Sequence, residues 1–206
     1  EQNCQNCNFT QVRMQGMEGH HTQILIDSDP VVSSLAGVYG LEQFPDEMIS
    51  RVEIVKGGGS ALYGSSAVAG VVNLITNRPT HNDVSFDYRS GSVDGRMDHK
   101  VGFTMSRVNS AGNSSGYLFA SARKRAAWDA NGDDFSEVGE LDNQAVGLNW
   151  YYKPANSGEL AVQLHTIHED RRGGNKFDLE PHEADIAEAI ETWRYGGSLK
   201  WTQNVS

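Results

Sequence analysis

The sequence predicts an α+β unit over residues 1–79, followed by a run of long antiparallel β-strands over residues 80–206. Three observations carry this prediction. Two β-rich segments, Arg51–Lys56 and Val71–Thr76, flank a run of consecutive glycines, Gly57, Gly58 and Gly59. Beyond Pro79 the pattern changes to apolar and polar residues in strict alternation, the period of a strand with two unlike faces. The composition agrees: 22 glycines, 5 prolines and 38% hydrophobic residues suit an ordered, β-rich protein.

In the first unit, Val52 and Ile54 alternate with Glu53 and Val55, and Val71, Val72, Leu74 and Ile75 form a second run, so both read as buried strands. The glycines between them admit backbone conformations closed to residues carrying a Cβ. Ser60 is placed to cap a single turn through Ala61–Tyr63 that Gly64 ends. Physics alone yields a compact glycine-rich connection between two strands.

The run Arg51–Thr76 also closely resembles the plug-domain signature of TonB-dependent outer-membrane receptors. Arg51, Glu53, Lys56, Gly57, Ser60, Tyr63, Gly64, Ala67, Gly70, Val71, Asn73 and Thr76 match it in order and spacing. Two departures are Gly58, where proline is usual, and Ala69, where glycine is common. Upstream, Val12–Asp27 resembles the strand pair of that family, with Arg13, Gly16 and Asp27 in register and Ser28 in place of glycine. Leu35–Pro45 resembles the segment that leads into the signature in cobalamin receptors.

In the second unit, six segments alternate: Val84–Arg89, His99–Arg107, Gly116–Arg125, Gln144–Lys153, Glu159–His168 and Thr192–Thr202. Asn109–Ser115 and Pro154–Gly158 are short turn-formers, whereas Trp128–Asp142 and Glu169–Glu191 are longer and charged. Short turns at one end and long loops at the other fit an outer-membrane barrel. A soluble antiparallel sandwich shares the alternation. No stretch reaches the about 20 apolar residues of a spanning helix, but a spanning strand needs only about 9–11. The resemblance implies antiparallel transmembrane strands of a 22-stranded barrel, of which six are an incomplete fragment.

The family resemblance also implies a function. It implies a transporter in the outer membrane of a Gram-negative bacterium that takes up a scarce metal chelate, with cobalamin first and haem or a ferric siderophore next. Energy would come from TonB, acting through an N-terminal segment missing from this sequence. Arg13, Asp27, Arg51, Glu53, Gly57, Tyr63, Gly64 and Asn73 are the residues expected to hold the plug and its contacts with the barrel. Arg51 and Glu53 are expected in charge-assisted contacts with neighbouring groups or the barrel wall. His20, His21, Ser33, Ser34 and Tyr39 are the substrate-facing candidates at the plug apex. Two exposed loop histidines with no ligand are the plainer reading of His20 and His21.

Cys4 and Cys7 form a C-x-x-C pair, for which redox and metal roles compete in a reducing compartment. A periplasm-facing plug, as the resemblance implies, favours a structural disulfide. Asp129, Asn131, Asp133 and Asp134 crowd oxygen-bearing side chains into one loop, which suits a hard cation such as Ca²⁺, or simply a hydrated acidic loop. The glycine is misplaced for an EF-hand. Glu180–Glu191 has helix-like content and is expected as a loop helix, a surface where an accessory lipoprotein would dock. The net charge of −10 argues against a nucleic-acid surface. The sequence contains no nucleophile, base and orienting group in a recognisable set, so no enzyme is expected.

Overall fold

The computed structural model describes residues 2–4, 9–10, 12–31, 40–57, 63–64, 66–154 and 158–203. Strands β1 (Gln2–Cys4) and β2 (Phe9–Thr10) form a small antiparallel ribbon. Strands β3 (Thr22–Ile26), β4 (Asp29–Pro30), β5 (Ile49–Lys56) and β6 (Gly70–Thr76) form a sheet in the order β4-β3-β6-β5. Strands β3 and β6 run parallel, while β5 returns antiparallel to β6. One helical turn, α1 (Gly40–Gln43), leads into β5 through a 3-10 turn at Asp46–Met48.

The parallel pair reads as continuous apolar sequence because both of its faces are covered. Ile24, Val72 and Leu74 pack with Phe44 and Met48 on one face, and Leu25 and Val71 with Ala67 and Tyr63 on the other. Strand β5 departs from expectation. Val52, Ile54 and Val55 are about half exposed, because β5 is the edge of its sheet and no described residue covers it. The turn assigned to Ser60–Tyr63 lies mostly outside the described residues.

Six long strands follow: β7 (Asp83–Val93), β8 (Arg96–Val108), β9 (Ser114–Arg125), β10 (Glu140–Tyr152), β11 (Glu159–Gly174) and β12 (Ala187–Thr202). Each pairs antiparallel with the next in chain order, making an open arc. All six anticipated strands are present, and several run further than the alternation suggested. The expected loop helix is absent. Only Pro181–Glu183 make a 3-10 turn, while Ala187–Glu191 pair with Asp170–Gly174 and extend β12. Cross-strand pairing satisfies those backbone groups, and it outweighs the weak helical preference of alanine and glutamate.

The faces of the arc are inverted relative to a soluble sheet. Its outer face carries Phe86 at 70%, Tyr195 at 75% and Leu199 at 76% exposure, with Val84, Leu148, Leu164, Trp193 and Trp201 beside them. Its inner face buries Asn143, Asn149, Glu169 and Arg171 beside Phe119 and Ile167. In a soluble sandwich the apolar face would be the enclosed one. Here it is the polar-containing face that meets the small sheet, which rules out the sandwich reading. Trp193 and Trp201 stand eight residues apart on β12, about 26 Å along an extended strand, so aromatic rings mark both ends of the apolar band.

Candidate functional site

The four-stranded sheet and its flanking turns touch the arc through one apolar cluster, in which Phe119, Ala145 and Ile167 join Phe44, Met48, Val72 and Leu74, and through polar side chains grouped at three levels. At the level near the short turns, Asp27 follows β3 in the left-handed region at φ 48°. Its carboxylate accepts from the Thr76 amide at 3.0 Å, the Thr76 hydroxyl at 2.6 Å and Gln163 Nε2 of β11 at 2.6 Å. Ser198 of β12 in turn donates to Gln163 Oε1 at 3.0 Å. A single carboxylate thus ties the ends of β3 and β6 to two strands of the arc. Arg78 pairs with Glu159 nearby and lies over the Tyr151 ring.

At the middle level, the Glu47 carbonyl accepts from Tyr117 Oη at 2.7 Å and Asn77 Nδ2 at 3.1 Å. Asn149 Nδ2 donates to the Asn77 carbonyl at 3.2 Å. Lys100 reaches Asp46 at 2.9 Å and Glu47 at 3.2 Å, and Arg89 reaches Asp46 at 3.2 Å. The Lys100 ammonium holds the Asp46 carboxyl below its ordinary value. Gly102 makes this approach feasible: a Cβ there would stand 2.3 Å from Glu47 Oε1.

Towards the long loops lies a buried charged cluster. Glu169, 2% exposed, accepts from Arg171 Nε at 2.7 Å, Asn143 Nδ2 at 2.8 Å and Gln43 Nε2 at 3.2 Å. Arg171 also donates to Glu42 at 2.8 Å, and Arg194 donates to Gln43 Oε1 at 2.9 Å while covering the Phe44 ring. Both side chains of α1 named here are held by the arc. Beside them opens a cavity of about 390 Å³, bordered by Glu42, Asp46, Arg89, Asp98, Lys100 and Arg123 among others. Its wall is charged with both signs, a lining for a polar ligand or for water.

The structure separates the residues singled out from sequence. Asp27 reaches the arc through Gln163, whereas Asn73 bonds within the small sheet: its Oδ1 accepts from the Ser28 amide at 2.9 Å, and its Nδ2 approaches Glu53 at 3.4 Å. Arg51 and Glu53 do make a charge-assisted pair, at 2.9 Å, but with each other on the exposed face of β5. Gly57 and Gly64 adopt φ of 73° and 92°, Tyr63 packs beside Leu25, and Arg13 is exposed. His20 and His21 lie in a 3-10 turn before β3, at the opposite end of the sheet from Asp27, with their rings 3.9 Å apart. Ser33, Ser34 and Tyr39, and Cys7 of the cysteine pair, lie outside the described residues.

Sequence reasoning missed Glu42, Gln43, Asn143, Glu169 and Arg171. The run Glu169–Arg172 reads as a charged loop, yet in a strand it sends residues 169 and 171 inward and residues 170 and 172 outward. The acidic loop does draw carboxylates together: Asp129, Asp133 and Glu137 place one oxygen each within 4.8 Å of one another. Backbone amides already occupy it. Asp129 accepts from Asn131, Gly132 and Asp134, Asp133 from Phe135, and Glu137 from Ala130. These bonds, that of Gly132 foremost, hold the Asp129 carboxyl below its usual range.

Comparison with known proteins decides the family. The model of the TonB-dependent receptor plug domain matches residues 2–71. The chain belongs to the TonB-dependent receptors. It is 30% identical over 170 residues to the vitamin B12 transporter BtuB of Vibrio vulnificus, covering 68% of this chain and 28% of that protein. Two solved structures share the fold. One is the siderophore receptor PirA of Acinetobacter baumannii, with 21% identity, TM-score 0.63, and coverage of 75% of this chain and 25% of PirA. The other is the ferric enterobactin receptor PfeA of Pseudomonas aeruginosa (Q482A), with 16% identity, TM-score 0.63, and coverage of 91% and 32%. The chain therefore spans under a third of the length of these relatives. The small sheet is the plug, the arc is part of the barrel wall, and the family is one of receptors rather than enzymes.

Proposed function

We propose that the receptor containing this chain imports a metal chelate across the outer membrane, with cobalamin as the first candidate. The observation that carries the transport reading is the polar part of the seam between plug and wall, such as Gln163 to Asp27, which borders an apolar patch where Phe119, Ala145 and Ile167 cluster with Phe44 and Met48. Hydrogen bonds can be exchanged for bonds to water at small net cost, about 0.5–1.5 kcal/mol each, so the polar part of the seam can be released. The apolar patch offers no such exchange and is the part that resists release. TonB is the proposed source of the pull. The substrate choice rests on the 30% identity to a vitamin B12 transporter, and a ferric siderophore is the second reading because the structural relatives bind such ligands.

The cavity above α1 and the turn bearing His20 and His21 are the proposed ligand-facing surfaces, together with the segment containing Ser33, Ser34 and Tyr39. The loop of Asp129, Asn131, Asp133 and Asp134 is proposed to take Ca²⁺ when the ion is supplied, side-chain oxygens being the ligands a hard cation prefers. The test of substrate is direct. Full-length receptor purified in detergent is incubated with cobalamin, haem and ferric siderophores, and the retained visible spectrum is read after gel filtration. Retention of cobalamin alone supports the first reading, a ferric siderophore band the second, and retention of none of the three overturns both.

A further inference from the structure

The outward face of the wall carries a cluster that neither the seam nor the cavity uses. On β11, His168 and Asp170 share that face, and on β12 Trp193 stands opposite His168 and Glu191 opposite Asp170. His168 Nε2 lies 3.5 Å from Asp170 Oδ2 and 3.5 Å from Glu191 Oε1. The three ligand atoms all lie within 4.8 Å of one another. Ligands about 2.0–2.2 Å from a tetrahedral metal are about 3.3–3.6 Å apart. Two edges of such a tetrahedron are therefore already set. Nε2 itself is buried and makes no hydrogen bond, although two carboxylates face it.

A protonated histidine paired with one carboxylate would explain the proximity but not the rest. Lys124 of β9 stands opposite Asp142 of β10, Asp142 opposite Asp170, and Asp170 opposite Glu191, so one lysine at the end of the row faces three acids. Like charges directly opposed across strands destabilise a sheet unless something neutralises them. Trp193 orders the cluster on two sides. Its ring stacks on His168 with centroids 4.0 Å apart, and its Nε1–H donates to Glu191 Oε1 at 2.9 Å. Partners that fix a ligand's orientation are what metal sites surround themselves with. An imidazole nitrogen with two carboxylate oxygens suits Zn²⁺ and its neighbours better than Ca²⁺ or Mg²⁺, which take oxygen alone.

We propose that His168, Asp170 and Glu191 form a divalent transition-metal site of Zn²⁺ type on the outer surface of the wall. Water completes the fourth position, and the ion joins β11 to β12 at the loop end of the apolar band. The proposal rests on the pairing of these two strands and is independent of which chelate the receptor carries.

The experiment uses full-length receptor in detergent, stripped with a chelator and titrated near pH 8 with Zn²⁺ by calorimetry and with Co²⁺ by visible absorption. Wild type is expected to show the intense Co²⁺ bands of a four-coordinate site and one more Zn²⁺ equivalent than His168→Ala. Glu191→Gln, which keeps an acceptor for the Trp193 indole and so preserves the fold, is expected to lose the same equivalent. Trp193→Phe should retain the stoichiometry and weaken affinity about tenfold, while Asp129→Asn should leave this site unchanged. Equal Zn²⁺ stoichiometry and affinity in wild type, His168→Ala and Glu191→Gln would overturn the proposal, as would a wild type that binds neither ion.

Discussion

Glu169 is a buried carboxylate of the wall that reaches the plug through Gln43. Its carboxylate is buried between Arg171, Asn143 and Gln43, and only the last belongs to the plug. Removing one partner of a buried ion pair strands the other, at a cost of about 3–5 kcal/mol, whereas replacing both by apolar groups can be nearly neutral. Arg171→Met alone should therefore lower the unfolding midpoint of the receptor more than Arg171→Met with Glu169→Leu, as thermal denaturation would read. Asp46 gives a pH signature on the same seam. Its carboxyl is depressed chiefly by the hydrogen bond from Lys100, so its contribution is present above the ordinary carboxylate value of about 4 and is lost as pH falls through the depressed one. Asp46→Asn should flatten acid sensitivity below about pH 4 in a plug-release assay; an unchanged profile would count against the contact. Gly102→Ala tests proximity alone. A Cβ there would stand 2.3 Å from Glu47 Oε1, so the variant should show a more protease-sensitive plug with an intact wall.

Hairpins are the elements of the wall, and the β7–β8 connection shows how one is fixed. Asp94 and Gly95 both lie at positive φ, 49° and 76°, the backbone of a two-residue turn that matches strand twist. Gly95→Ala should destabilise by about 1 kcal/mol, the cost of a Cβ in the left-handed region, with the strand register retained in urea unfolding. This hairpin was legible only in part. The alternation of Val84, Phe86 and Tyr88 locates β7, but nothing in periodicity alone says where the strand stops. Nor does alternation say which face is inside: Asn143 and Asn149 read as solvent-facing, yet both are buried against the plug. Ala187–Glu191 looked helical because alanine and glutamate favour helices locally, and only pairing with Asp170–Gly174 on another strand reverses that. The glycine signature, by contrast, was readable because tight turns impose residue identity at fixed spacing. The Gln43–Glu169 contact was not, since 126 residues separate its partners and no local pattern records such a meeting.

At the scale of the whole molecule, two surfaces point in opposite chemical directions. The inner face of the wall meets the plug through amides, hydroxyls and charges around a small apolar patch of Phe119, Ala145 and Ile167; the outer face presents valine, leucine, phenylalanine, tyrosine and tryptophan. Water would penalise that outer face at about 25 cal/mol per Å², and a bilayer removes the penalty. On the proposed transport reading, the hydrogen-bonded part of that seam is what water can replace, whereas the patch of Phe119, Ala145 and Ile167 with Phe44 and Met48 has to be parted. Edge strand β5 exposes Val52 and Ile54 on one face and Val55 on the other, so the plug still has apolar surface to cover on both faces.

Lipid exposure of the wall tests this account most directly. Single spin labels are placed in reconstituted full-length receptor at successive positions of β10 and β12, including residues 146, 148, 199 and 201 outward and residues 145, 149 and 198 inward. Their collision rates with oxygen and with a water-soluble nickel chelate are then compared. A lipid-facing wall gives a strict two-residue alternation, with outward labels reached by oxygen and shielded from the chelate. Outward labels that meet the chelate as freely as a loop label at residue 132 would contradict it.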